Sequence, residues 1–176
     1  LLLQVVQGYS PSQAGWMLAP IAVGALLTKP LVTRIVKRFG YRKTLVGNTL
    51  LIGVNIMLLS QLNQTTPIWL SVPFLTFMGA CNSLQFSTMN TISIARLRPS
   101  QTSSGNSLLS VNQQLAISFG IGFGAMLLHL LTPARASLAQ TQTAFSYSFI
   151  ILGIMTILSG LYFLRLHRFD GKGLYQ

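Results

Sequence analysis

Lys29–Lys43 reads KPLVTRIVKRFGYRK and carries six of the chain's twelve lysines and arginines: Lys29, Arg34, Lys37, Arg38, Arg42 and Lys43. The residues on either side are almost wholly apolar and uncharged. A Lys or Arg at the centre of a bilayer costs roughly 3 kcal/mol on insertion scales. A dense cationic stretch between long apolar runs is therefore expected to form a loop held at one membrane face. The positive-inside tendency makes that face the cytoplasm.

Working outward, the 176 residues are 51% hydrophobic and only 7% charged, against about 25% charged in soluble domains. Charge-free runs cover 1–28, 44–95, 99–134 and 136–164. About 20 apolar residues suffice to cross the hydrocarbon as a helix, and the run 44–95 holds two crossings. The class is all-α and integral to a membrane. Five spanning helices are expected, near 13–32, 44–61, 67–94, 104–131 and 143–164. A truncated helix precedes them, because Leu1–Gly8 is too short to span and follows no cationic n-region, so the sequence reads as a fragment.

Local signals place the boundaries. Ser12 is read as the cap of the first helix, and Trp16 and Trp69 as interface residues. Pro67 suits the first turn of the third helix. Ser103 or Ser104 caps the fourth. Counted along this alternating path, eleven cations fall on the side of Lys29–Lys43, with Arg96, Arg98, Arg165, Arg168 and Lys172 among them. Arg135 alone falls on the other side. The C-terminus is accordingly expected in the cytoplasm and the chain in a cell inner membrane.

The net charge of +11 would point to nucleic acid in a soluble domain. Here no soluble domain remains to bind it, and nucleic acid is not an expected partner; the lipid bilayer is. The lone Cys81 excludes an intrachain disulfide framework. No His, Cys, Asp and Glu cluster offers a metal site, no phosphate-binding glycine loop follows a strand, and no cofactor is expected. No nucleophile, base and acid constellation marks an enzyme.

Two polar stripes run along consecutive helices. Asn82, Gln85, Phe86, Met89, Asn90 and Ser93 recur at steps of three and four, which puts them on one face. So do Asn106, Ser110, Gln113, Ile117, Gly120 and Gly124. The second stripe begins polar and ends small, and Ala116, Gly120 and Gly124 repeat every four residues as close helix contacts do. The polar members have two readings. One is hydrogen bonding between helices, which is common in membranes. The other is the lining of a water-filled cavity for amphipathic ligands, with Phe86 and Met89 as adaptable apolar contacts. His129 reads as an interfacial or packing residue. Glu is absent and Asp170 is the only acid, so a proton relay needing an intramembrane acid is expected to lie in a part not present here.

The stretches GYSPSQAGWMLAPIAVGA, VKRFGYRKTLV, FSTMNT and SSGNSLLS carry a resemblance. With them the whole chain resembles the C-terminal half of a transporter of the major facilitator superfamily, within its fourteen-helix drug/proton antiporter branch. The resemblance implies that residues 1–176 are half of that fold, with the N-terminal half missing. It implies proton-coupled efflux of small amphipathic, drug-like substrates by alternating access. It implies that Arg38, Gly40, Arg42 and Lys43 form a cytoplasmic latch loop, although Lys37 stands where the family has an acid and Tyr41 where it has an arginine. It also implies that the third and fourth helices line the central cavity. That sets Asn82, Gln85, Phe86, Met89, Asn90, Asn106, Ser110 and Gln113 as substrate-cavity candidates. A non-transporting membrane fragment with a structural or regulatory role is the alternative.

Overall fold

A computed structural model describes residues 10–61, 68–94, 97, 101–133 and 137–165. All regular structure among them is helical: α1 (Pro11–Met17), α2 (Ala19–Phe39), α3 (Tyr41–Leu59), α4 (Ile68–Ile94), α5 (Thr102–Leu131) and α6 (Leu138–Phe163). Arg96, Arg98, Arg135, His167, Arg168, Asp170 and Lys172 lie outside the described residues, as do the side chain of Trp69 and the segment 1–9 read as a truncated helix.

The first difference from expectation is at the N-terminus. Ser10, not Ser12, is the cap. Its Oγ accepts from the Gln13 N–H at 3.3 Å, and its own N–H donates to Gln13 Oε1 at 3.0 Å. This reciprocal pair satisfies two otherwise free donors, and Pro11 follows where a missing N–H costs nothing. The α1 and α2 helices are separated only by Leu18. Pro20 enforces that break, since it has no N–H to offer the carbonyl of Trp16.

The second difference concerns the cationic stretch, which is not an extended loop. The α2 helix runs through Lys29, Pro30, Arg34, Lys37 and Arg38 to Phe39. Lys and Arg are good helix formers whose long stems carry their charge away from apolar surroundings. The chain turns at one residue. Gly40 has φ +77° and ψ 159°, the only positive φ among the described residues. Its N–H closes α2 on the Val36 carbonyl at 2.8 Å, and its carbonyl receives the Thr44 N–H at 3.1 Å. One glycine thus ends one helix and starts the next.

The helices pack as two tight pairs, α2 along α4 and α3 along α6, joined mainly by α3 against α4. Both pairs depend on glycine. A Cβ on Gly24 would run into the Thr76 carbonyl, and one on Gly79 into that of Ile21. In the other pair, a Cβ on Gly53 would lie 2.9 Å from the Gly153 carbonyl, and one on Gly153 would lie 2.8 Å from that of Gly53. Removing side-chain bulk lets backbones meet, which is how membrane helices gain dispersion contact without a hydrophobic drive between them. Ser83 Oγ donates across α2/α4 to the Ala25 carbonyl at 3.0 Å, and Ser146 Oγ donates to that of Ser60 at 2.8 Å.

Among described residues, three segments are long and apolar enough to cross a membrane: Gly15–Phe39, α5 and α6. The α3 and α4 helices fall short: α3 has only 19 residues and carries Arg42 and Lys43 in its first turn beside Asn48 and Asn55, and α4 carries Asn82, Gln85 and Asn90. The α6 helix starts at Leu138, five residues before the position expected from sequence. Ser137 and Gln140 form a second capping box there, at 3.3 and 2.8 Å.

Candidate functional site

The polar residues of α3, α4 and α5 divide into a buried network and an open face. At the α3/α4 interface Asn48 is 4% exposed. Its Nδ2 donates to the Cys81 carbonyl at 2.8 Å and to Gln85 Oε1 at 2.9 Å. Gln85 Nε2 in turn donates to Thr49 Oγ1 at 2.9 Å. Gln85 is therefore engaged sideways by α3. It takes the interhelical role, and its Nε2 also lies 4.0 Å from Met89 Sδ. Asn48 and Thr49 were not anticipated. Their signal was available: two adjacent polar residues, two turns past the helix start, between apolar stretches.

The two stripes meet once. Gln113 Nε2 of α5 donates to Asn90 Oδ1 of α4, and both residues are half-buried. This bond ties two helices that otherwise touch little. Around it the rest of the stripe is open. Asn82, Asn106 and Ser110 are exposed, Phe86 is 54% and Met89 41% exposed, and Ser93 and Ile117 are exposed as well. The structure thus brings Asn90 and Gln113 together, assigns Gln85 to the α3 contact, and leaves Asn82, Phe86, Met89, Asn106 and Ser110 on a surface of mixed polarity. Such a surface suits amphipathic molecules, since it offers amides, a hydroxyl, an aromatic ring and a thioether without any fixed charge.

The α5 helix holds no buried residue at all. Nothing approaches within 4 Å of a Cβ placed on Gly120, Gly122 or Gly124, and Ala116 is exposed. The close backbone-to-backbone glycine contacts among the described residues are those of Gly24, Gly79, Gly53 and Gly153, which sequence reasoning missed. For two of them the signal was present as small residues four apart, Gly24 with Thr28 and Gly79 with Ser83.

At the cationic corner Arg38, Gly40, Arg42 and Lys43 do gather around one turn of chain. Arg38 lies over the Phe39 ring, 5.7 Å from its centre. Lys43 is exposed and Arg42 half-buried. Both sit in the first turn of α3, which contains no acid, where the positive end of the helix dipole opposes them. The corner therefore holds positive charge without local compensation from its own first turn. Among described residues no group of His, Cys, Asp and Glu could hold a metal.

Compared with known proteins, the chain matches the Major Facilitator Superfamily over residues 2–174. It is 36% identical over 167 residues to a candidate multidrug resistance protein, MdtD, of Pectobacterium atrosepticum, covering 94% of this chain and 36% of that protein. It is 37% identical over 169 residues to the MdtD of Escherichia coli strain SE11, again with 94% and 36% covered. It is 32% identical over 174 residues to a candidate transport protein, HsrA, of Haemophilus influenzae, with 99% and 38% covered. The chain thus spans little more than a third of the length of these relatives. No solved structure matches it.

Proposed function

From the premise that the chain belongs to the major facilitator superfamily, we propose that it is the C-terminal half of a multidrug efflux carrier of a cell inner membrane. The carrier exports small amphipathic molecules by alternating access, in exchange for protons, and its C-terminus is cytoplasmic. The carrying observation is the face of mixed polarity around the Asn90–Gln113 bond. The α5 helix, which supplies part of this face, has no buried residue. A second half packed there would close this face into a cavity between two helix bundles, where carriers of this architecture hold substrate. In that arrangement Asn82, Phe86, Met89, Asn106 and Ser110 contact substrate, and Gly120 and Gly124 admit a helix of the other half.

Coupling to protons falls to the other half. The chain has one acid, Asp170, which lies beyond its last spanning segment. The cationic corner, with Gly40 as its turn, acts as the latch that is made and broken as the halves rock. Arg38, Arg42 and Lys43 need acidic or carbonyl partners from neighbouring helix ends for that role.

Ethidium efflux from cells tests this. Cells expressing the full-length carrier should extrude the dye and lose extrusion when a protonophore collapses the gradient. Replacing Asn90 with Leu together with Gln113 with Leu should change the ranking of dyes extruded. If full-length protein at normal abundance extrudes none of a panel of cationic and neutral dyes, the efflux reading fails. A non-transporting membrane role is then what remains.

A further inference from the structure

Residues of α3 and α4 line a groove in the half of α3 away from the cationic corner. Its volume is about 310 Å³, and Leu51, Val54, Asn55, Leu58, Pro73, Phe74 and Phe77 line it. That volume is near the lower bound of small-molecule sites. Six of the seven lining residues are apolar. The seventh, Asn55, is 3% exposed, and its Oδ1 is buried without any hydrogen-bond partner.

An orphaned amide in apolar surroundings is costly and calls for a partner. Asn48, two turns earlier on the same helix, also has an unpartnered Oδ1, but its Nδ2 makes two bonds to α4 and it does not line the groove. At Asn55 the facing residues are Pro73, Phe74 and Phe77, whose side chains carry no donor or acceptor. The site stands apart from the Asn90–Gln113 crossing. Phe77 and Asn90 are about 20 Å apart along α4 at 1.5 Å per residue.

We propose that this groove binds a small, neutral, lipophilic alcohol or phenol, held at its hydroxyl by the Asn55 amide. The chemistry of the lining selects this class. There is no cation to hold a phosphate headgroup and no acid to hold an ammonium. A bare acyl chain would fill the volume and leave the amide orphaned. A hydroxyl both donates and accepts, so it satisfies either end of an amide that turns about a broad terminal torsion. Leu51, Val54 and Leu58 are between 45% and 49% exposed and Phe77 is 44% exposed, so the body of the ligand lies on apolar surface that is otherwise uncovered. The site does not depend on the efflux reading, and it persists in a chain that transports nothing.

The test is photolabelling of the protein in lipid nanodiscs with a diazirine analogue of 1-octanol, followed by peptide mapping. Label is expected to concentrate in 51–58 and 73–77. Excess 1-octanol should compete, and n-octane should not. Asn55→Leu should reduce labelling roughly three- to tenfold, the size of one hydrogen bond, with an unchanged or raised melting temperature. Leu51→Trp, which fills the groove and keeps the amide, should also abolish the label. Uniform labelling of all apolar helix surfaces would overturn the proposal. So would equal competition by n-octane, which would mark an acyl-chain slot, or wild-type labelling of a folded Asn55→Leu variant.

Discussion

Single residues set how closely the helices approach. Gly79 meets the backbone of Ile21 rather than a flexible side chain, and a backbone cannot swing aside. Gly79→Ala is expected to destabilise the chain by about 1–3 kcal/mol. Gly122→Ala, made in open space, should be neutral. Thermal melting of both variants in detergent checks the pair. The Asn48–Gln85–Thr49 network makes a second residue-scale prediction. Asn48→Leu removes two donated bonds and strands Gln85 Oε1, at a cost of about 1–2 kcal/mol. Thr49→Val removes one acceptor and should cost less. Their double mutant should fall short of the sum, because both variants break the same network. What the sequence could not disclose at this scale was partner choice. Spacing put Gln85 and Asn90 on related faces of α4, and only packing shows that one turns to α3 and the other to α5.

Elements are where the sequence spoke most plainly and where its misreadings have definite causes. Each of the five long helices lies over a stretch read as helical, though only three meet the length and apolarity of a crossing among the described residues. Their ends shifted because charge was weighted above helix propensity. A cationic stretch was read as loop, yet Arg and Lys continue α2 to Phe39 and only Gly40 interrupts it. The late start given to α6 overlooked a serine followed three residues later by glutamine, a capping signature that also opens α1. The cap supplies its own test. Ser137→Ala is expected to cost about 1 kcal/mol. The loss should show as faster amide exchange confined to the first turn of α6. Uniform exchange along the helix would mean that the cap is not what holds its start.

At the scale of the whole molecule the two helix pairs and the bare α5 are the main facts. The α5 helix has no buried residue, and under the proposed function its surface is the one that the other half covers. Gly120→Leu should leave the melting temperature of this chain unchanged, since nothing lies near it. In the full-length carrier the same substitution should lower both melting temperature and dye extrusion. Equal behaviour in the two settings would count against α5 as the seam between halves. The fold class and family were readable from apolar run lengths and from stretches such as SSGNSLLS. The exposed face could not be predicted, because a stripe of polar and small residues reads alike whether its partner is in the same chain or elsewhere.

The turn at Gly40 has a mechanical result. One residue spans less than 4 Å, so α2 and α3 meet as rods at a pin, with no slack between them. The end of α2 and the start of α3 are therefore displaced together while the angle between them can open at the glycine, and the Gly53–Gly153 contact joins α3 in turn to α6. Such a corner fixes where two helices meet and leaves their angle to be set by what packs on either side.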